Sequence, residues 1–267
     1  MTEHDAEQPA TAQDGQGPAP APAAPRDRWR TFGAPALAAV TVLALSLGVL
    51  LGWLTFGERT PGDDSVDAGF ARDMSEHHAQ AIEMSFLVLE RTDDHAVGRL
   101  AIDIANNQAT ERGMMMTWLQ SWGLPFASPD GERMVWMEHD HHAAEALPPG
   151  VPMAGMASPV EIQELTDAEG DEAEILYLQL MTTHHIAGVE MAEDALRNAD
   201  SPQVRAAAQR MVNAQFGEVT LMKDMLEERD SQAREDIDAW VASQQGSVTD
   251  DSEDQGEQGD QVDHDGH

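Results

Sequence analysis

The sequence predicts an all-α protein: a four-helix bundle made of two duplicated helical hairpins, preceded by a single transmembrane helix. Three observations lead there. Apolar positions recur at helical spacing through residues 65–229, the pattern repeats at an offset of 107 positions without insertion, and a 23-residue stretch near the N-terminus is almost continuously apolar. The offset carries Phe70 to Tyr177, Met74 to Met181, His77-His78 to His184-His185, and Met84 to Met191. It then carries Val97 to Val204, Gln108 to Gln215, Glu111 to Glu218 and Leu119 to Leu226. Polar residues are repeated along with apolar ones, so the duplication copies a chemical site as well as a packing unit.

Residues 1–25 are rich in Pro, Ala and Gln and have too little apolar surface to offset the entropy of ordering. A disordered cytoplasmic N-terminus over 1–30 is expected. No charge occurs between Arg30 and Glu58, and Ala34 to Phe56 as a helix rises about 34 Å, enough to cross a bilayer core of about 30 Å. This gives a transmembrane helix within 31–57. Arg26, Arg28 and Arg30 precede it and Glu58, Asp63 and Asp64 follow, which places the rest of the chain outside the plasma membrane in a single-pass arrangement. A cleaved signal peptide is the competing reading, but the charged leader is long and no clear small-x-small site follows.

The extracytoplasmic bundle spans 60–245. Helical periodicity covers 65–91 and 94–121, separated by Arg-Thr-Asp-Asp, where Asp94 can cap the second helix; Gly123 and Pro125 stop it. The Met/His-rich connection 124–158 contains five prolines, with room for one short helix over Glu132 to Leu147 and for a crossover of the kind found in ferritin-like bundles. Ser158-Pro159-Val160-Glu161 reads as N-cap, first-turn proline and capping-box acid, opening a brief helix to about Ala168. The second hairpin follows over 171–198 and 202–229, with Ser201-Pro202 as the start of its last member. Residues 246–267 are expected to be a disordered acidic tail.

A formal charge of −34, from 49 acidic and 15 basic residues, excludes nucleic-acid binding through phosphates and favours attraction of cations. Zero cysteines leave Met and His as the soft metal ligands.

On a helical wheel Met74, His77, His78 and Met84 share one face, as do Met181, His184, His185 and Met191. Antiparallel folding of the first hairpin sets His78 beside Gln108 and near Glu111, with Gln215 and Glu218 in the same relation to the second copy. Two readings compete. The histidines are structural, held by Gln and Glu with Met as filler, or each face supplies one sulfur and two nitrogens to a metal. Thioether with imidazole suits a copper ion, Cu(I) above all. All 14 methionines after the initiator lie between Met74 and Met225 and none in the apolar span, where a merely apolar role would serve as well. The connection adds a second candidate metal site, Met137, His139, His141, His142, Met153 and Met156, in a segment that looks too irregular to need those methionines for packing.

These motifs, Val66-Asp67-x-x-Phe70-x-x-x-Met74-x-x-His77-His78-x-x-Ala81-x-x-Met84 and Met181-x-x-His184-His185-x-x-Gly188-x-x-Met191, with Gln108-x-x-Glu111, Gln215-x-x-Glu218 and Met153-Ala-Gly-Met156, resemble the bacterial family of domains of unknown function numbered 305 (DUF305). The resemblance implies a ferritin-like bundle, often exported, and for some members an association with copper handling. Gly170-Asp-Glu-Ala173-Glu174 departs from the family's usual Gly-x-x-Phe-Asp.

The leading expectation is a membrane-anchored extracytoplasmic metal-binding protein that sequesters or relays copper, with no catalytic residues. The alternative is a structural or protein-interaction bundle. A di-metal oxidase would need Glu-x-x-His on paired helices, and neither histidine pair has it. Asp67 and His78, 11 residues or about 16 Å apart along a helix, cannot share one metal.

Overall fold

Capping chemistry fixes where several of the helices begin. A computed structural model describes residues 33–56, 60–137 and 147–244; the expected disordered ends and His139, His141 and His142 lie outside them. Within the described residues there are helices and no strand. Helix α1 (Ala34–Phe56) is apolar all round and belongs to a separate unit ending at Glu58. It is long and apolar enough to cross a membrane, a test that a signal sequence near the N-terminus also passes.

In the second unit, Ser65 caps α2 (Val66–Leu89) by accepting from the Ala68 N–H. Asp94 caps α3 (His95–Trp122), accepting from Ala96 and Val97. Ser158 and Glu161 form the expected capping box of α4 (Pro159–Asp167), with proline in its first turn. Helix α5 (Gly170–Asn198), α6 (Pro202–Glu227) and a short α7 (residues 237–244) complete the described residues. The side chain of Ser201 makes no cap, although α6 starts where expected. Instead Asp67 on α2 accepts the backbone N–H groups of Asp200 and Ser201, so one hairpin caps the other. The short helix expected from Glu132 is absent from 132–137, which forms a bend and turn; the rest of that segment lies outside the described residues.

Helix α2 packs on α3, α5 on α6, and the two hairpins meet along α2 and α5. Two apolar clusters fill the interior. One gathers Met84, Val88, Ile104, Tyr177, Met181 and Met222, and the other Phe70, Met74, Met115, Trp118, Met191 and Met211. On α2 and on α5 the histidine pair lies in sequence between a methionine of each cluster, so a polar layer separates two apolar compartments.

Candidate metal centre

The helical periodicity that puts His77 and His78 on the inner face of α2 does the same for His184 and His185 on α5, and all four are fully buried. His77 and His184 face each other across the seam with ring centroids 3.7 Å apart and planes tilted by 31°. They are equivalent positions of the two repeats. A residue that meets its own counterpart marks the pseudo-twofold axis, and that axis passes between these rings.

The hydrogen bonds obey the same symmetry. His78 Nε2 lies 2.9 Å from Glu111 Oε2, and His185 Nε2 lies 2.8 Å from Glu218 Oε2. One bond breaks the symmetry: His184 Nε2 lies 3.0 Å from the His77 carbonyl oxygen, and the His77 ring makes no such bond in return. A carboxylate or carbonyl only accepts, so in each case Nε2 carries a proton, and on a neutral ring the lone pair is left on Nδ1. The Nδ1 atoms of His78, His184 and His185 are buried without a partner, as are both ring nitrogens of His77. Burial pushes His77 and His184 well below the ordinary histidine range, helped by neighbouring histidines, and it lowers His78 despite the opposing pull of Glu111. His77, His78 and His184 are therefore neutral imidazoles with lone pairs available for coordination.

Gln108 and Gln215 are buried beside this layer, and neither amide makes a hydrogen bond. Of the two expected holders of the His78 imidazole, Gln108 and Glu111, it is Glu111, one helical turn further along α3, that makes the bond. Gly188 is the close-approach point for Gln215: a Cβ there would lie 2.3 Å from Gln215 Oε1. Among the described residues no group of three or more His, Asp or Glu side chains forms a ready-made metal cage. What fits a metal is the unsatisfied lone pairs and the sulfurs beyond them. Met74 and Met191 share one compartment, Met84 and Met181 the other. Each histidine pair thus has methionines on both sides, contributed by both repeats.

Of the four acids that a di-metal reading would draw on, Glu111 and Glu218 hold histidines of the layer, and Asp67 and Glu174 are engaged elsewhere. Asp67 caps α6, and Glu174 accepts from Thr92 Oγ1 at 2.6 Å and from Arg229 Nε and Nη2 at 3.0 and 2.9 Å. The departure from the family pattern at Glu174 therefore comes with an arginine partner.

The connection corrects another expectation. Met153 is fully buried, and Met134, Met137 and Met156 pack partly buried against the Met74 cluster, so these methionines do serve packing. The cause is a notch invisible in the sequence. Trp136 lies on Gly69 of α2, where a Cβ would come within 2.3 Å of its ring, and its indole N–H donates to Asp73 Oδ2 at 2.8 Å. Asp73 also accepts from the Met134 backbone, and burial holds its carboxyl above the usual range. Asp73 and Trp136 were missed as positioning residues. The lone tryptophan in a Pro-rich stretch was the one available signal.

The sequence pattern of the family described as "Domain of unknown function (DUF305)" matches residues 67–226. Among solved structures, a DUF305 protein from Streptomyces coelicolor, provisionally described as secreted, is 45% identical, with 65% of this chain and 99% of that one covered and a TM-score of 0.58. A DUF305 fragment from Deinococcus radiodurans is 30% identical, with 61% and 96% covered and a TM-score of 0.51. CopM in its Cu(II)-bound form is 23% identical, with 61% and 97% covered and a TM-score of 0.47. No curated protein matches the sequence.

Proposed function

The chain belongs to the DUF305 family, and from that premise we propose that it is an extracytoplasmic, membrane-anchored protein that binds monovalent copper in the buried histidine layer, for sequestration or relay. The observation that carries the reading is the set of unpartnered imidazole nitrogens at the pseudo-twofold axis. Buried polar atoms without partners are rare in native proteins. These belong to the residue type that most often ligates metals, already oriented through the opposite ring nitrogen by Glu111 and Glu218. His77, His78, His184 and His185 would hold the ion, with Met84 and Met181 as thioether donors on one side of the layer and Met74 and Met191 lying on the other. Neutral nitrogen and sulfur donors suit Cu(I), whereas hard oxygen donors are tied up in caps and ion pairs. The bundle is read as ferritin-like in its hairpin connectivity, with α1 as the anchor and the leader 1–30 in the cytoplasm. The loop histidines His139, His141 and His142, with Met137, remain candidates for a capture site on the connection.

A second reading is favoured by the bond from His184 to the His77 carbonyl, which ties α5 to α2: the layer is structural and the bundle an interaction module. One experiment separates the two. Full-length protein in detergent should compete with a chromogenic chelator for Cu(I) and melt at a higher temperature with copper bound, since a ligand of the folded state alone stabilises it. Glu111→Ala should weaken Cu(I) by about 10- to 100-fold through loss of ring orientation. A wild type that neither competes nor shifts its melting temperature leaves the structural reading in place.

A further inference from the structure

The methionines are distributed more unevenly than the duplication requires. Three pairs are related by the 107-residue offset: Met74 with Met181, Met84 with Met191, and Met115 with Met222. The remaining eight have no methionine counterpart, and six of those, Met114, Met134, Met137, Met153, Met156 and Met211, belong to the compartment that holds Met74 and Met191. Packing does not demand sulfur there. The position equivalent to Met211 is Ile104, a fully buried branched aliphatic of the other compartment. The connection is also fastened at this point. Gly155 has φ +73°, and a Cβ on it would lie 2.2 Å from the Ala187 Cβ and 3.0 Å from the Thr183 carbonyl oxygen, so only glycine lets the Met153–Met156 turn lie against α5 beside His184.

We infer that this compartment is an all-thioether site for a soft monovalent cation of the Cu(I) class, formed by Met153 from the connection, Met74 from α2 and Met191 from α5. The three side chains are 0%, 0% and 1% exposed and belong to one contiguous cluster. Thioethers select soft ions over the divalent ions that oxygen donors prefer. Met134, Met137 and Met156, partly buried on the same cluster, supply the approach. The site goes beyond the histidine layer and needs only that the protein takes up a soft ion.

Silver(I) is the redox-inert probe. Full-length protein in detergent, labelled with 13C at the methionine methyls and 15N at the imidazoles, is titrated with it. The Met74, Met153 and Met191 methyl signals should shift together, and Met153→Leu should abolish the shift at the other two and remove one equivalent of bound silver. Selenomethionine-labelled wild type, which needs no substitution, should show silver as a near neighbour of selenium in X-ray absorption. Shifts at Met74 and Met191 that persist in Met153→Leu overturn the site. Imidazole signals that move while the methyls and the selenium edge stay silent also overturn it, and leave the histidine layer as the metal centre. Methyl shifts with unmoved imidazoles support it and count against the histidine layer. No response at all ends both.

Discussion

His77, His78 and His184 make the metal-free protein sensitive to acid. Unfolded, each takes up a proton near pH 6.5; folded, each is held lower, mainly by burial. Between those two values the unfolded chain binds more protons, so stability rises with pH and is lost as pH falls below about 6.5. Each such histidine contributes a slope of up to about 1.4 kcal/mol per pH unit. Asp73 works in the opposite direction, but its window begins near the ordinary carboxylate value of 3.8. Urea unfolding of metal-free protein at pH 7.5 and 5.5 should show the loss, and equal midpoints would refute it. The inner-facing histidines were legible in the sequence because helical spacing fixes which residues share a face. The stack of His77 on His184 was not, since it depends on how two hairpins meet and no register within one hairpin contains that information.

Among the elements, the helices were the most legible part. Asp94, Ser158-Pro159 and Pro202 each mark a helix start by local chemistry, and the observed starts agree with them to within two residues. The connection was the least legible, because its order comes from a tertiary notch over Gly69 and an acceptor at Asp73. This has an energetic consequence. Trp136→Ala removes a large buried ring and leaves Asp73 with one fewer donor, so a cost in the range of 3–5 kcal/mol is expected, unusual for a position in a connecting segment. Asp73→Asn keeps the shape and an acceptor oxygen, and should cost less. Chemical denaturation measures both, and a Trp136→Ala variant within 1 kcal/mol of wild type would mean that the segment is not docked in solution.

At the scale of the whole molecule, the pseudo-twofold axis through His77 and His184 has an evolutionary reading. A residue that packs against its own equivalent is what an isologous dimer places on its symmetry axis. The present chain thus has the organisation of two copies of a single hairpin, each contributing one central histidine, later joined head to tail. Such a joint is dispensable for assembly if the seam itself specifies the partner. Residues 60–137 and 147–244, coexpressed as separate polypeptides, should therefore find each other and copurify as a one-to-one complex with the helical content of the intact domain. Failure to associate would mean that fusion came to be required for pairing. Success would mean that two identical hairpins could have met around four imidazoles before one gene encoded both.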